Sequence, residues 1–253
     1  MLREAAHEKH FGWEEDFRWR AGEITRLEGF SDAVFAFAVT LLVVSLEVPH
    51  TFEELLDAMR GFAAFAICFA MLAQVWFHHY RYFRRYGLQD TFTVALNSVL
   101  LFVVLFYVYP LKFVFTMLVG QLTGGFTVGG RSVVESMISR EEVPTLMAIY
   151  GVGFSAVFGI FALLCWRAHS RREQLQLTEV EVLVTQQSLF ENGGMGAIGL
   201  LSVLMALMMP ANAAGLSGFV YFLIPVYITA TGVHFGRKIR EAKQKAKAAP
   251  AAR

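Results

Sequence analysis

Five side chains in this 253-residue sequence combine hydrogen-bonding or ionisable chemistry with an apolar setting: Ser31, Asp32, the adjacent pair His78 and His79, and Asn97. Each lies in or at the edge of a long apolar run. There an unpaired Asp is expensive, about 2.5–3.5 kcal/mol on insertion scales, so such groups find partners. A carboxylate accepts, an amide donates and accepts, and an imidazole does both. The simplest arrangement is a clamp in which Asp32 accepts from a histidine and from Asn97, fixing the first apolar run against the second and third. The alternative is a proton-permeable channel or carrier in which Asp32 and His78 or His79 relay protons. A relay needs further acids or histidines toward the far side, and the later apolar runs supply none there. Arg26, one turn before Phe30, can anchor at the lipid headgroups or pair with Asp32 or Glu28.

Other chemistry is not indicated. On a helix His78 and His79 point about 100° apart and do not make the i, i+4 pair that binds zinc. The sequence holds no phosphate loop, dinucleotide fingerprint or serine elbow, so we assign no catalytic residue, cofactor, small-molecule substrate or nucleic-acid partner. Cys68 and Cys165, the only cysteines, both fall within apolar runs and read as small buried hydrophobes.

The elements that must position these residues follow from composition. A hydrophobic share of 56% and a mean hydropathy of +0.49 exceed what a soluble domain of this size can hide. The expected fold is all-α, a multi-pass bundle, because a helix of about 20 apolar residues crosses the bilayer with its backbone satisfied. Six spans are expected: Phe30 to Val48, Met59 to Tyr80, Thr91 to Val119, Val143 to Trp166, Gly193 to Met209 and Leu216 to Phe235. The third is long enough to tilt, or to bend at Pro110. The Gly193, Gly194, Gly196 and Gly199 series permits close helix packing.

Basic residues fix the orientation. Arg18, Arg20 and Arg26, then Arg81, Arg84 and Arg85, then Arg167, Arg171 and Arg172, then the Lys-rich tail all fall on one side. The opposite side has only Arg60, Lys112, Arg131 and Arg140, with acidic Glu53, Glu54 and Asp57. Lys and Arg gather in cytoplasmic loops, so both termini are expected in the cytoplasm. The chain divides into a leader, 1–29, a six-span domain, 30–235, and a basic tail, 236–253, that suits anionic lipid. The leader stretch FGWEEDFRWR reads as a surface helix or a partly ordered segment, and no cleavable signal peptide is expected. The stretch RSVVESMISREE suits a short outer helix, and residues 167–192 suit a helix resting on the membrane.

Within the first span Phe30, Val34, Phe37, Leu41, Val44 and Val48 recur at spacings of four and three. This is a seam able to meet copies of itself, although neighbouring stripes are also apolar and the pattern alone favours ordinary burial. Glu47, near the outer end, can concentrate cations or be a solvated helix-end acid.

The R-x-x-x-F-S-D of Arg26, Phe30, Ser31 and Asp32, followed by AVFAFAVTLL, resembles the signature of the transmembrane protein 175 family of potassium channels. Trp76, His78, His79 and Phe83 are similar to its second-span ending, and Leu96, Asn97 and Pro110 to its third span. Animal members are similar to two such repeats in one chain, so a single repeat looks prokaryotic in type. The resemblance implies a cell-membrane homotetramer in the lipid bilayer, with the first helix of each subunit lining a central pore and K+ as the permeating ion. It implies an apolar constriction at Phe37, Leu41 and Val44 and a pore threonine at Thr40. Relatives usually place isoleucine or leucine where this chain has Phe37, so the tightest point is open between Phe37 and Leu41.

Overall fold

The computed structural model describes residues 17–44, 50–122, 127–128, 131–132 and 138–248. Six α-helices account for nearly all of this: α1 Arg26–Val44, α2 Phe52–Tyr86, α3 Thr91–Leu122, α4 Val143–Ser170, α5 Glu179–Met208 and α6 Leu223–Ala248. A 3₁₀ helix, Ala214–Phe222, leads into α6, and the α3–α4 link holds a minimal antiparallel pair, Thr127–Val128 with Arg131–Ser132.

The helix boundaries have local causes. At α1 the Thr25 hydroxyl accepts from the Glu28 amide (3.2 Å) while the Glu28 carboxylate accepts from the Thr25 amide (2.9 Å), a reciprocal cap that satisfies two orphan donors. Thr178 and Glu181 repeat that cap at α5. Gly87, at φ +59°, ends α2 in the left-handed region that a residue with a Cβ rarely enters, and its amide donates to the Phe83 carbonyl at 2.8 Å. Met209 precedes Pro210, and its extended ψ of 150° stops α5. α3 continues through Pro110.

Five helical segments are long and apolar enough to cross a membrane, among the described residues: within α2, α3, α4 and α5, and the 3₁₀ helix joined to α6. α1 is described over only 19 residues and is not one of the five; the expected end of its span, 45–48, lies outside the described residues. α5 differs from expectation at its start. Residues 179–192, expected as a separate surface helix, form its first turns, because the Thr178–Glu181 cap starts the helix there. α6 likewise runs on into the basic tail as far as Ala248. Most of the leader, residues 1–16, and residues 133–137 of the expected outer helix lie outside the described residues.

α4 packs closely on α5. A Cβ on Gly199 would sit 2.3 Å from the Ser155 oxygen and 3.2 Å from the Gly151 carbonyl, so a larger residue would displace the Ser155 hydroxyl and press on the α4 backbone. Phe35 and Leu42 of α1, Cys68 of α2, Leu100 and Val104 of α3 and Leu164 of α4 belong to one continuous core.

One end of the bundle gathers the basic links. The Arg20 amide donates to the Arg84 carbonyl at the end of α2, and the Arg20 guanidinium donates to the Leu175 and Gln176 carbonyls and pairs with Glu181 at 2.7 Å. The Arg18 amide reaches Glu181 as well, at 2.9 Å. Phe17 is buried against Tyr86, with the Arg20 and Arg85 guanidiniums 5.5 and 5.1 Å from its ring centre. Arg167 of α4 pairs with Asp90 in the α2–α3 link. The leader, the α2–α3 link and the α4–α5 link therefore share one end.

Candidate pore helix and its polar lock

α1 has two unlike faces. Glu28, Ser31, Phe35, Ala38 and Leu42, spaced by three and four, are buried. The opposite face carries Phe30 at 61% exposure and Phe37 at 56%, with Thr40 also exposed. Val34 and Leu41, expected on the same seam as Phe37, are half-buried and pack against the core. The seam is therefore split: Phe30, Phe37 and Thr40 face outward from the subunit, and Val34 and Leu41 flank them. Glu47 and the Val44 side chain lie outside the described residues.

Behind α1 the buried face is locked by polar groups. The Asn97 amide Nδ2 donates to Ser31 Oγ at 2.9 Å, and Ser31 Oγ donates to the Leu27 carbonyl at 2.8 Å. Asn97 Oδ1 lies 2.8 Å from His79 Nε2. With its Nδ2 committed to Ser31, Asn97 presents an oxygen that only accepts, so His79 carries its proton on Nε2. All three side chains are buried, and the Phe83 and Phe35 rings lie 4.6 and 5.5 Å from the His79 ring centre.

Here the structure departs from the expected clamp. Asn97 bonds Ser31 and not Asp32, and neither histidine bonds Asp32. Asp32 is exposed and accepts from the Trp76 indole at 2.8 Å. The reason is rotation: successive helical residues diverge by about 100°, so Ser31 points into the subunit and Asp32 out of it. The same divergence sends His79 to Asn97 and His78 to α4, where Phe161 and Phe158 lie 5.8 and 6.3 Å from its ring centre. Arg26 is exposed at the start of α1, and the Glu28 carboxylate is occupied by the helix cap.

Trp76 is the residue that spacing alone did not pair. Its signal was the indole N–H itself, a donor that needs an acceptor in apolar surroundings. Thr40 has its hydroxyl proton engaged, since Oγ1 donates to the Ala36 carbonyl at 3.0 Å. The oxygen lone pairs are what Thr40 offers outward.

A family model described as the endosomal/lysosomal potassium channel TMEM175 matches residues 26–107, the stretch that holds Arg26, Phe30, Ser31, Asp32, both histidines and Asn97. A potassium channel of Marivirga tractuosa is 41% identical over 236 residues, covering 89% of this chain and 92% of that one. A potassium channel of Chamaesiphon minutus is 36% identical over 96 residues, covering 35% of this chain and 47% of that one. A crystal structure of a variant of the potassium channel MtTMEM175, in complex with a nanobody–MBP fusion protein, superposes with a TM-score of 0.77 at 40% identity, covering 88% of this chain and 98% of that one. The chain is a multi-pass membrane protein and belongs to the TMEM175 family of potassium channels.

Proposed function

We propose that this chain is a potassium-permeable cation channel, a homotetramer in which four copies of α1 surround a central pore. The observation that carries this is the free face of α1: Phe30, Phe37 and Thr40 are exposed, while the opposite stripe is buried and locked within the subunit. Lipid covers exposed apolar side chains such as Phe102 and Phe106 of α3; what sets this face of α1 apart is that it also exposes the polar Thr40, which a symmetric interface around an aqueous path accommodates better than lipid does. Both chain ends lie on the cytoplasmic side in this reading, with the gathered basic links.

A ring of apolar side chains gates by dewetting, and oxygens beside it replace part of the ion's water. Phe37, Leu41 and Val44 form that ring. The exposure of Phe37 against the half-burial of Leu41 favours Phe37 as the narrowest point. Thr40, its proton turned to the backbone, directs oxygen at a passing cation. Glu47, outside the described residues, has the role of concentrating cations near the outer mouth in this reading. Ser31, His79 and Asn97 hold the helix, and Asp32 with Trp76 holds its outward edge. The division of Asp32 and His79 between different partners favours a locking role over a proton relay.

Potassium flux into proteoliposomes tests this. Phe37→Ala raises flux several-fold by widening the dewetted ring, and Thr40→Val lowers the preference for potassium over sodium. Assembled wild-type protein without flux, or flux indifferent to both substitutions, sinks the proposal.

A further inference from the structure

At the end of the bundle where the basic links gather, α4, α5 and α6 enclose a groove of about 650 Å³. Its floor is apolar, built from Trp166 of α4, Phe190 of α5 and Phe235 of α6. Its lip is polar: His169, Gln186, His234 and Lys238 line it, and no carboxylate does among the described residues. The walls are fixed. The Tyr227 hydroxyl donates to the Phe190 carbonyl at 2.8 Å, and the Phe190 and Phe235 rings sit 5.7 Å apart, so α6 is held against α5. Gln186 Nε2 lies 3.0 Å from His169 Nε2, which ties α5 to α4 across the lip.

Charge and apolar surface meet at one place. The Lys238 ammonium stands 5.6 Å from the centre of the Phe235 ring, at the boundary between floor and lip. Trp166 and Phe190 are 49% and 56% exposed beside it. The nearby acid of α5, Glu191, accepts from the Gln187 amide at 2.8 Å and does not line the groove.

An occupant matching both parts has a hydrocarbon chain for the floor and an anionic, hydrogen-bond-accepting head for the lip. Inorganic phosphate would use the lip alone and leave the aromatic floor bare. An uncharged or zwitterionic lipid would give the lysine no net counter-charge. Basic pockets between spanning helices at the membrane surface take anionic headgroups, and Trp is suited to that depth. We propose that the α4–α5–α6 groove binds one anionic phospholipid, its acyl chain against Trp166, Phe190 and Phe235 and its phosphate at Lys238.

Tryptophan quenching in the reconstituted full-length channel tests this. The chain has four tryptophans, so the Trp166 signal is obtained as the difference between wild type and Trp166→Phe. Phosphatidylcholine vesicles carry a minor fraction of either dibrominated phosphatidylglycerol or dibrominated phosphatidylcholine. The expected result is half-quenching of the Trp166 signal by the glycerol lipid at a mole fraction about fivefold lower, the factor one Lys contributes near an anionic surface. Lys238→Gln, used once its thermal unfolding is checked against wild type, is expected to bring phosphatidylglycerol to the phosphatidylcholine value, and added inorganic phosphate to leave the wild-type quenching unchanged. Phospholipid extracted from purified channel gives a second readout that leaves Trp166 in place: the glycerol-to-choline ratio falls in Lys238→Gln. Equal quenching by both lipids, indifference of both readouts to Lys238→Gln, or displacement by phosphate overturns the proposal. So does absence of quenching by either lipid, which would mean that a second copy of the chain covers the groove.

Discussion

Asn97 spends both ends of its amide on two different helices, giving to Ser31 and taking from His79. Buried donors left without acceptors cost more than a made hydrogen bond contributes, so the cost of breaking this lock falls on the partner left behind. Asn97→Leu is expected to destabilise the channel by about 1–3 kcal/mol, because the His79 Nε2 proton loses its acceptor. Asp32→Asn keeps an oxygen for the Trp76 indole and is expected to cost less. Thermal unfolding of both variants in one detergent checks the order, and the reverse order would refute it. Ser31, His79 and Asn97 were legible in the sequence as candidates, because polar groups in apolar runs are few, whereas Trp76 was not. How these groups pair was not legible. Ser31 and Asp32 are neighbours in the chain, and only the rotation of α1 decides which one meets Asn97.

Helices and their neighbours are held at the next scale by end-on ties, of which the Asp90–Arg167 pair is one. Burial opposes ionisation of Asp90, but the Thr93 hydroxyl and the Arg167 guanidinium outweigh it and hold the carboxyl below its ordinary range. A carboxyl whose folded pKa is depressed contributes stability above its unfolded value, near pH 4, and loses that contribution as pH falls through the folded value. Asp90→Asn therefore lowers the unfolding temperature at neutral pH, and its difference from wild type closes at strongly acid pH. A difference that persists unchanged into strong acid would exclude the pair as its source. The helices themselves were readable from apolar runs. Their starts were also written, since Thr25 to Glu28 and Thr178 to Glu181 both spell T-x-x-E. The second pattern was obscured by the mixed polarity of residues 179–192, which reads as a surface segment until Arg20 is seen to cover Glu181.

At the scale of the whole molecule, the proposed pore requires more than one copy of the chain, because a single copy leaves Phe30, Phe37 and Thr40 of α1 exposed. Native mass spectrometry of the channel released from membranes is expected to give the mass of four 28.4 kDa chains. A particle of one or two chains would remove the central path. No sequence pattern could decide this, because the outward stripe of α1 and its flanks are similarly apolar, and only burial separates Phe37 from Leu41.

The Arg20–Glu181 tie also bears on how the chain is made. Its partners are 161 residues apart, so the guanidinium leaves the ribosome long before its carboxylate exists. At about 5–20 residues per second the interval is on the order of ten to thirty seconds. Until α5 begins, the segment has Tyr86 and the Arg84 carbonyl to rest on, but its guanidinium lacks the carboxylate partner. The segment around Arg20 is thus among the last to lock, and its closure on Glu181 reports that four helices and the start of a fifth are in place.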